Sequence, residues 1–401
     1  MKILYIHQYF VTPAQPRGTR SYWIAKALVK NGFKVTIITS DSNRSSIKVT
    51  KETVDGIDVV YIPNSYDNSM GLLKRLWSFI SFMFKSTYYA LKERNIDLVF
   101  ATSTPLTIGI PALVKKWMHG TPYVFEVRDL WPEVPIQMGA LKNKWIIKIA
   151  VFLEKTIYAN SKHVVALSPG MEEGVLRFEF MKGKTSMVPN MSKPDIFYPR
   201  EKCLKISKTF NINPDKFNVV HFGAMGIANG LDYIIKAAII SRDEFPEIIF
   251  HFFGGGKTEQ TLKDLCNSRK LNNVLFHGPL PMDILSDCIN SCDVSLVTFL
   301  NIPILRTNSP NKLFDSLSAG LPIIVNSSGW TKDMVEDNEC GFYVDPEDPK
   351  DLVNKLVLLK KDDVLRQNFS KNSRELALKA YDKNVLCEQV SNILNYEFKL
   401  L

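Results

Sequence analysis

Short apolar runs alternate along this chain with longer stretches in which apolar residues recur every three or four positions. The first pattern predicts buried strands, and the second predicts amphipathic helices. Their alternation is typical of β-α-β units that build a parallel sheet. In the first half, the predicted strands are Lys2–His7, Lys34–Thr39, Asp58–Ile62, Asp97–Ala101, Tyr123–Val127, His163–Ala166 and Thr185–Val188. The predicted helices there lie near Thr19–Asn31, Leu72–Arg94, Thr107–His119 and Trp145–Ala159.

The same alternation starts again in the second half and predicts a second sheet. Its strands are Val219–Phe222, Ile248–Phe253, Val274–Phe276, Val294–Val297, Ile323–Val325 and Phe342–Val344. Its helices are Leu231–Ser241, Thr258–Ser268, Met282–Asn290, Lys312–Ala319 and Lys350–Leu359. The expected fold class is therefore α/β, with two Rossmann-like parallel-sheet lobes whose strand ends face a shared cleft.

A segment without periodicity, residues 189–199, separates the two sets of elements. It contains three prolines and is typical of a linker between domains. We therefore expect an N-terminal lobe over residues 1–188 and a C-terminal lobe over residues 200–369. A closing helix over residues 370–401 exceeds what the second sheet needs, and we expect it to pack back towards the N-terminal lobe.

Charge is unevenly distributed along the chain, whose formal net charge is +9. Up to Asp195 there are 26 Lys and Arg against 15 Asp and Glu, while the remainder is slightly acidic. This bias favours an anionic partner such as a membrane surface or a phosphorylated acceptor, or simply a solvated basic surface. Nucleic acid is not expected, because no basic helix carries interleaved base-reading side chains. The six cysteines form no C-x-x-C motif, which favours a reducing cytoplasm and no metal site.

Three glycine-containing turns follow predicted strands, where backbone N–H groups can approach an anion. The first contains Gly18, flanked by Arg17 and Arg20, which can add charge-assisted contacts. The second contains Gly223 and Gly226, and the third contains Gly254, Gly256 and Lys257. The first turn is as readily purely structural, and the alternative for the third is a tight turn into the following helix.

The segment from Pro310 to Gly320 predicts a helix that begins just after a proline and ends at a glycine. Its N-terminus, at Asn311, Lys312 and Leu313, offers N–H groups and a positive dipole end to a diphosphate. Asp315, about one turn into the helix, can accept hydrogen bonds from a ribose diol. Taken alone, Asp315 is as readily a solvated helical carboxylate.

These segments together resemble glycosyltransferase family 4, which has the GT-B fold. The resemblance covers essentially the whole chain and is greatest to the bacterial surface-polysaccharide branch, which includes fucosamine and other amino-sugar transferases. The motifs that carry it are His7-Gln8-Tyr9-Phe10 with Gly18-Thr19-Arg20-Ser21, Arg128-Asp129-Leu130-Trp131-Pro132-Glu133, Val188-Pro189-Asn190 with Asp195-Ile196-Phe197, and the Pro310–Gly320 segment.

The resemblance implies a nucleotide-sugar site in the C-terminal lobe. The family's E-x7-E pair places Asp315 on the donor ribose, but Thr307 stands at the first glutamate position. Gly18 and Gly223 would lie near the diphosphate, and Lys257, Arg306 and Lys312 are the candidates for its basic partner. No D-x-D motif occurs, which favours transfer without a metal ion. The family also implies retention of anomeric configuration.

Glu126, Arg128 and Asp129 follow a predicted buried strand of the N-terminal lobe, where α/β enzymes place working groups. We expect these three residues to serve catalysis, with Asp129 orienting or deprotonating the acceptor hydroxyl and Arg128 contacting an acceptor phosphate. The alternative is an Arg–Asp pair that only holds the loop at Trp131.

The predicted helix from Leu72 carries lysines on one narrow stripe and aromatic residues over the rest, which suits a helix lying on a membrane surface. Its apolar run is far shorter than the roughly 20 residues of a membrane span. The alternative is a helix buried on most sides. The residues expected to meet the acceptor or the membrane are Arg17, Arg20, Lys74, Arg75, Trp77, Phe79, Phe82 and Lys85.

The resulting hypothesis is a glycosyltransferase on the cytoplasmic face of the cell membrane. It would move an N-acetylated hexosamine or 6-deoxyhexosamine from a UDP-sugar to a lipid-diphosphate-linked saccharide of an O-antigen or capsule. No cofactor besides the nucleotide-sugar is expected. A non-hydrolysing UDP-sugar 2-epimerase and an inactive membrane-associated scaffold of the same fold stay open as alternatives. A dinucleotide-dependent dehydrogenase is disfavoured, because no G-x-G-x-x-G follows either first strand.

Overall fold

The computed structural model describes residues 1–15, 18–41, 48–64 and 70–399, without the side chains of residues 72, 73 and 75. The chain divides into two compact units. The first unit contains Met1–Thr12, Thr19–Pro189 and Asn384–Leu401, and the second contains Pro13–Gly18 and Asn190–Lys383.

The elements alternate between strands and helices in both units. The strands are β1 Lys2–Ile6, β2 Lys34–Asp41, β3 Thr50–Val54, β4 Ile57–Pro63, β5 Leu98–Thr102, β6 Tyr123–Val127, β7 His163–Ala166, β8 Thr185–Met187, β9 Phe217–Phe222, β10 Ile248–Phe253, β11 Val274–Gly278, β12 Val294–Val297, β13 Ile323–Val325 and β14 Gly341–Tyr343. The α-helices are α1 Arg20–Lys30, α2 Leu72–Lys92, α3 Gly109–His119, α4 Glu133–Gln137, α5 Lys144–Asn160, α6 Pro169–Leu176, α7 Leu204–Thr209, α8 Asp232–Glu244, α9 Glu259–Ser268, α10 Met282–Asn290, α11 Asn311–Ala319, α12 Trp330–Asp337, α13 Pro349–Lys361, α14 Asp363–Ala380 and α15 Lys383–Lys399.

The first unit is built on an eight-stranded sheet in the order β3-β4-β2-β1-β5-β6-β7-β8. Every pair of neighbours is parallel except β3 and β4, which form an antiparallel edge. The central strands β1, β5 and β6 are buried along almost their whole length, because helices cover both faces of a parallel sheet. Such strands read as continuous apolar runs, which is why the sequence predicts them well.

The second unit is built on a six-stranded parallel sheet in the order β11-β10-β9-β12-β13-β14. The order reverses at β9, and ligands of such sheets bind beyond the carboxyl ends of the strands at the reversal. Its main core packs β9, β10 and β12 against α8 and α13, with Ile234, Phe250 and Leu356 completely or almost completely buried.

The prediction of two parallel-sheet α/β lobes is confirmed, and each predicted strand corresponds to a strand of the structure within a few residues. Strand β3 is not predicted by the sequence pattern, because Thr50–Val54 is polar and half-buried or exposed at the sheet edge. Several short helices, including α6 and α12, are not predicted either, because their few turns give little periodicity.

The prediction of a single closing helix is wrong, because the helix is interrupted between α14 and α15. At the break, Ser192 forms an isolated β-bridge with Asp382, and the Lys383 N–H donates to the Ser192 carbonyl. These backbone bonds hold residues 381 and 382 in a non-helical conformation between the two helices. Residues 384–401 group with the first unit, where Asn31 donates to Glu388 at 2.9 Å.

Candidate active site

Two glycine turns in the second unit follow β9 and β10 and are hydrogen-bonded to one another. The Met225 N–H donates to the Gly255 carbonyl at 2.9 Å. Gly254 has a φ of 125°, and a Cβ there would lie 2.0 Å from the Gly223 carbonyl oxygen. A Cβ at Gly256 would lie 2.7 Å from the Met225 carbonyl oxygen. Gly254 and Gly256 are therefore required by the close approach of the first turn.

Lys257, next in the chain, is exposed. The structure does not bring it to a buried site. Gly226, unlike Gly254 and Gly256, is not sterically constrained, since an added Cβ would lie at an ordinary 3.6 Å from Asn229 Nδ2. Gly18 belongs to the second unit, and a Cβ there would lie 2.9 Å from Asn311 Nδ2, at the start of α11. Gly18 thus lies next to the N-terminus of α11.

Helix α11 begins after Pro310 and ends at Gly320, which adopts the left-handed conformation with a φ of 65°. Its N-cap residue, Pro310, provides no side-chain hydrogen bond to the first turn. That end keeps the positive dipole and the donor geometry that favour an anion. Leu313 is completely buried, so its side chain serves the core and not the surface of the pocket.

Lys312 crosses from the first turn of α11 to the turn after β9. Its side chain is only 9% exposed, and its Nζ donates to Asn229 Oδ1 at 2.9 Å. His221 Nε2 lies 3.4 Å from the same nitrogen. A Cβ added at Gly223 would lie 3.7 Å from Lys312 Cε, so the lysine stem passes directly along the first glycine turn.

Burial makes the environment of Lys312 unusual. It lowers the pKa of Lys312 to about 7. The pKa of His221 is lowered well below its usual range by burial and by the charge of Lys312, so this imidazole is neutral. A buried cation beside a glycine turn and a helix N-terminus is an arrangement that favours binding of a diphosphate.

Asp315 lies on the same helix and forms a buried ion pair with Lys193. The carboxylate is 7% exposed, and Lys193 is 3% exposed. Burial raises the pKa of Asp315, and the neighbouring ammonium opposes that rise. One carboxylate oxygen is engaged by Lys193, which the sequence analysis did not anticipate because the two residues are 122 positions apart.

Thr307, at the position of the family's first glutamate, donates through its hydroxyl to the Ile304 carbonyl at 2.8 Å. It thus closes a short helical turn at the entrance to α11. Arg306 is exposed and donates to Asn301 Oδ1. Of the three basic candidates in this unit, only Lys312 is directed to the first glycine turn.

In the first unit, Arg128 and Asp129 follow β6, and His7 follows β1. Arg128 Nη1 donates to His7 Nε2 at 3.2 Å. Because a guanidinium only donates, His7 Nδ1 carries the hydrogen and donates to Ser21 Oγ at 2.8 Å. Burial, reinforced by the charge of Arg128, lowers the pKa of His7 well below its usual range. A neutral imidazole therefore orients Arg128, a role the sequence analysis did not assign.

Asp129 is half-buried and accepts a hydrogen bond from Thr104 Oγ1 at 3.0 Å. Burial raises the pKa of Asp129, while Thr104 and Arg128 oppose the rise. Thr104 itself has a φ of 98°, which a β-branched residue rarely adopts. Strained backbone conformations are common at functional sites. Here the conformation of Thr104 directs its hydroxyl to the candidate base, Asp129.

Two predicted site residues, Arg20 at the acceptor and Glu126 in catalysis, are buried inside the unit. Arg20 is 2% exposed, and its Nε donates to Glu126 Oε1 at 2.9 Å. The guanidinium also donates to the Val188 and Pro189 carbonyls, and Glu126 accepts from Thr102 at 3.1 Å. With their polar atoms engaged in this way, Arg20 and Glu126 are better explained as a structural pair than as groups that contact a substrate.

Helix α2 differs from the expected membrane helix in the identity of its exposed side chains. Trp77 is 71% exposed, Phe79 is half-buried and Phe82 is 1% exposed. Phe82 therefore belongs to the core. Lys74 and Lys85 are exposed, and Lys85 donates to the Pro63 carbonyl. The remaining predicted members, Arg17 and the side chain of Arg75, lie outside the described residues.

In comparisons with known proteins, both matching family models describe glycosyl transferases. Residues 18–191 match the family described as "Glycosyl transferase 4-like domain", and residues 204–376 match "Glycosyl transferases group 1". The chain is 29% identical over 304 residues to a sulfoquinovosyl transferase of Arabidopsis thaliana, a match that covers 74% of this chain but 56% of that relative. It is 22% identical to the N,N'-diacetylbacillosaminyl-diphospho-undecaprenol alpha-1,3-N-acetylgalactosaminyltransferase of Campylobacter jejuni, over 86% of this chain and 92% of that one.

Solved structures share the fold over the whole chain. A sucrose-phosphate synthase of Thermosynechococcus elongatus superposes with a TM-score of 0.80 at 17% identity and covers 100% of both chains. HepE of Anabaena, determined in complex with UDP and glucose, superposes with a TM-score of 0.74 at 17% identity over 98% of this chain and 99% of that chain.

Proposed function

Because the chain belongs to glycosyltransferase family 4 and has the GT-B fold, we propose that it transfers a sugar from a UDP-sugar to a lipid-linked saccharide. It is a transferase enzyme of this family, with one family model matching each half of the chain. The specific donor, acceptor and stereochemistry are part of the proposal. We assign donor binding to the second unit and acceptor binding to the first, with residues 189–199 as the linker.

The observation that carries the donor assignment is the position of Lys312. Its buried ammonium lies beside the Gly223 turn, at the first turn of a helix whose N-cap residue, Pro310, provides no side-chain cap. A diphosphate held there would receive charge from Lys312 and N–H groups from α11, without a metal ion between them. Asp315 has a second carboxylate oxygen in addition to the one paired with Lys193, and this oxygen would accept from the ribose.

UDP as the nucleotide is supported by the structural neighbour HepE, whose structure was determined in complex with UDP. The acetamido sugar is supported by the Campylobacter relative, which is named for transfer of N-acetylgalactosamine. That relative is also named for an α-linked product, and a UDP-hexosamine donor is itself α-linked. An α product from an α donor means retention, which we propose for this chain.

The acceptor assignment rests on the group of His7, Arg128 and Asp129. Arg128 is held by a neutral imidazole and keeps further N–H donors for an acceptor phosphate. Asp129, held by Thr104, would accept the proton of the acceptor hydroxyl as the new glycosidic bond forms. The Campylobacter relative's name contains a diphospho-undecaprenol acceptor, which supports a lipid diphosphate as the class of acceptor.

We place the protein at the cytoplasmic face of the cell membrane as a peripheral enzyme of surface-polysaccharide synthesis, of the O-antigen or capsule type. A lipid diphosphate stays in the bilayer, so the first unit must work at the membrane surface. No helix in the described part of the chain has the length and hydropathy to cross a bilayer.

The test has two steps, binding and turnover. Calorimetry against UDP, GDP and their sugars identifies the donor class, and we expect micromolar binding of UDP and weaker binding of GDP. Release of UDP is then measured with a UDP-N-acetylhexosamine and a lipid-diphosphate-linked saccharide in mixed micelles. We expect release that depends on the acceptor.

Three results would contradict the proposal. Preferential binding of GDP would overturn the donor assignment. Conversion of UDP-N-acetylglucosamine to its 2-epimer without acceptor would show the alternative epimerase activity. UDP binding with no turnover on any lipid-linked saccharide of the class would favour the inactive scaffold, in which Thr307 replaces a needed glutamate.

A further inference from the structure

Helices α2, α3 and α5 pack side by side on one face of the first unit's sheet. They connect β4 to β5, β5 to β6 and β6 to β7, and right-handed crossovers in one direction place them on the same face. All three helices run opposite to the strands. The beginnings of α2 and α5 therefore lie towards the carboxyl ends of the strands, the edge that also carries Arg128 and Asp129.

Helix α5 exposes large apolar side chains along one stripe. Trp145 is 75% exposed, Ile149 is 65% exposed and Phe152 is 71% exposed, at positions i, i+4 and i+7. The opposite side of the helix is buried through Ile157 and Tyr158. Single exposed apolar residues are ordinary, but a continuous stripe of this size marks a surface that is covered by something else.

Helix α2 adds a second exposed stripe, of aromatic residues. Trp77, Phe84 and Tyr88 are each more than half exposed and are spaced at i, i+7 and i+11. The intermediate helix α3 ends in exposed Trp117 and Met118. Exposed apolar side chains thus occur on all three neighbouring helices.

The exposed charges of these helices are positive. Their only acidic residue is Glu154, which is completely buried and paired with Arg177. Two lysines lie over exposed aromatic rings, Lys148 over Trp145 at 5.2 Å and Lys92 over Tyr88 at 4.4 Å. The exposed lysines of α2 and α5 are Lys74, Lys85, Lys92, Lys144, Lys148 and Lys155.

We propose that the stripe of Trp145, Ile149 and Phe152 on α5, with α2 as a second contact, docks the first unit on an anionic membrane surface. Apolar side chains would enter the headgroup boundary, while the lysine ammoniums reach anionic headgroups from their flexible stems. A second copy of this chain fits less well, because two lysine-rich faces repel and protein interfaces are depleted of lysine. The inference rests on the proposed function, which requires access to a lipid acceptor, and identifies the surface that provides it.

The test is flotation of the full chain with two kinds of vesicle. One contains phosphatidylcholine alone, and in the other about one lipid in three is the anionic phosphatidylglycerol. We expect binding to the anionic vesicles only, and about a tenfold or greater loss in the variant Trp145→Ser/Ile149→Ser/Phe152→Ser. A lysine near an anionic surface contributes about fivefold in affinity, so Lys144→Gln/Lys148→Gln should lower binding by about 25-fold at low salt.

The matched control is Leu204→Ser/Val364→Ser, which removes two similarly exposed apolar side chains from the second unit and should leave vesicle binding unchanged. Thermal unfolding and UDP calorimetry confirm that each variant folds. Equal binding of the α5 variant and the wild type to anionic vesicles would overturn the inference. So would a wild-type dimer that the α5 variant converts to a monomer, with no vesicle binding by either.

The outcome separates this inference from the proposed function. If the wild type binds anionic vesicles through α5 but transfers no sugar to any lipid-linked saccharide, the docking surface stands and the proposed function fails. If the α5 variant has lost vesicle binding but keeps transfer to a short-chain, water-soluble acceptor analogue, both stand.

Discussion

Replacement of Lys312 by methionine tests the donor site most directly. Methionine keeps most of the length and apolar volume of the lysine stem along the Gly223 turn, but it removes the ammonium. The change therefore isolates the charge that we assign to the diphosphate.

The expected loss of UDP affinity follows from the contact it removes. A hydrogen bond to a charged group contributes about 1.5–3 kcal/mol, so the variant should bind UDP about 10- to 150-fold more weakly. A surface lysine would give much less. Lys257→Met is the matched control, because Lys257 is exposed at the neighbouring turn and its loss should change affinity less than about threefold.

The pH dependence of UDP affinity gives a second, independent test of the Lys312 charge. The pKa of Lys312 is about 7 without ligand, and a bound diphosphate favours the charged form and raises it. Above pH 7 the protein must take up a proton to bind UDP, so affinity should fall about tenfold per pH unit. Below pH 7 the ammonium is already present, and this dependence disappears. The Lys312→Met variant should lack it altogether.

The Lys312→Met variant should be more stable than the wild type, although it binds UDP more weakly. Because burial lowers the pKa of Lys312, its charge destabilises the folded state, fully below pH 7 and less as pH rises towards the usual pKa of 10.5. Methionine removes this penalty but leaves Asn229 Oδ1 without its donor. We expect a net gain of about 1–3 kcal/mol, or a melting temperature higher by about 2 °C or more.

Calorimetry of UDP binding from pH 6.5 to 9, in buffers of different ionisation enthalpy, measures both the affinity and the proton uptake. Thermal unfolding measures the stability. The reasoning is refuted if Lys312→Met binds UDP within twofold of the wild type, or if the wild type shows no proton uptake above pH 7.

Three further predictions concern other groups. Asp129→Asn should lower kcat about 100-fold or more and leave UDP affinity unchanged. Since burial raises the pKa of Asp129, wild-type kcat should rise with pH through a value above the usual 3.8, and a loss of UDP binding would contradict the assignment. Glu126→Gln breaks the buried pair with Arg20 and should cost about 3–5 kcal/mol in urea unfolding. Because Arg20 also donates to two backbone carbonyls, Arg20→Met/Glu126→Leu should cost less than Arg20→Met and Glu126→Leu added together; additive losses would argue against an ion pair. Burial lowers the pKa of His251 to about 3 and of His277 to about 4, so the unfolded chain alone takes up protons below pH 6.5. The free energy of unfolding should then fall by at most about 1.4 kcal/mol per pH unit for each histidine as pH drops from 6.5 towards 4. His277→Phe should reduce that slope. An unchanged slope would show that His277 does not take up a proton on unfolding.

The fold could be predicted from the sequence because its signals are local. A strand buried on both faces, such as Tyr123–Val127, reads as an apolar run whatever it packs against. Where the local signal is weak, the prediction failed. β3 has almost no apolar residue, and the end of α14 is fixed by backbone bonds to Ser192, which lies far away in the sequence.

The family motifs determined where the candidate site lies, since a glycine turn or a helix N-terminus is a property of a few consecutive residues. The sequence did not decide which side chains work there. Arg20 and Glu126 are 106 positions apart, and nothing local shows that they neutralise one another.

By itself, then, the sequence determined the two sheets, the family and the turns that can meet a diphosphate, because each is encoded within a few adjacent residues. Only the tertiary structure decided that Lys312 is the buried cation at the first turn, that Phe82 is core and that α5 carries the exposed apolar stripe. Burial and pairing depend on residues brought together from distant parts of the chain, and these set the charge, the pKa and the exposure of each side chain.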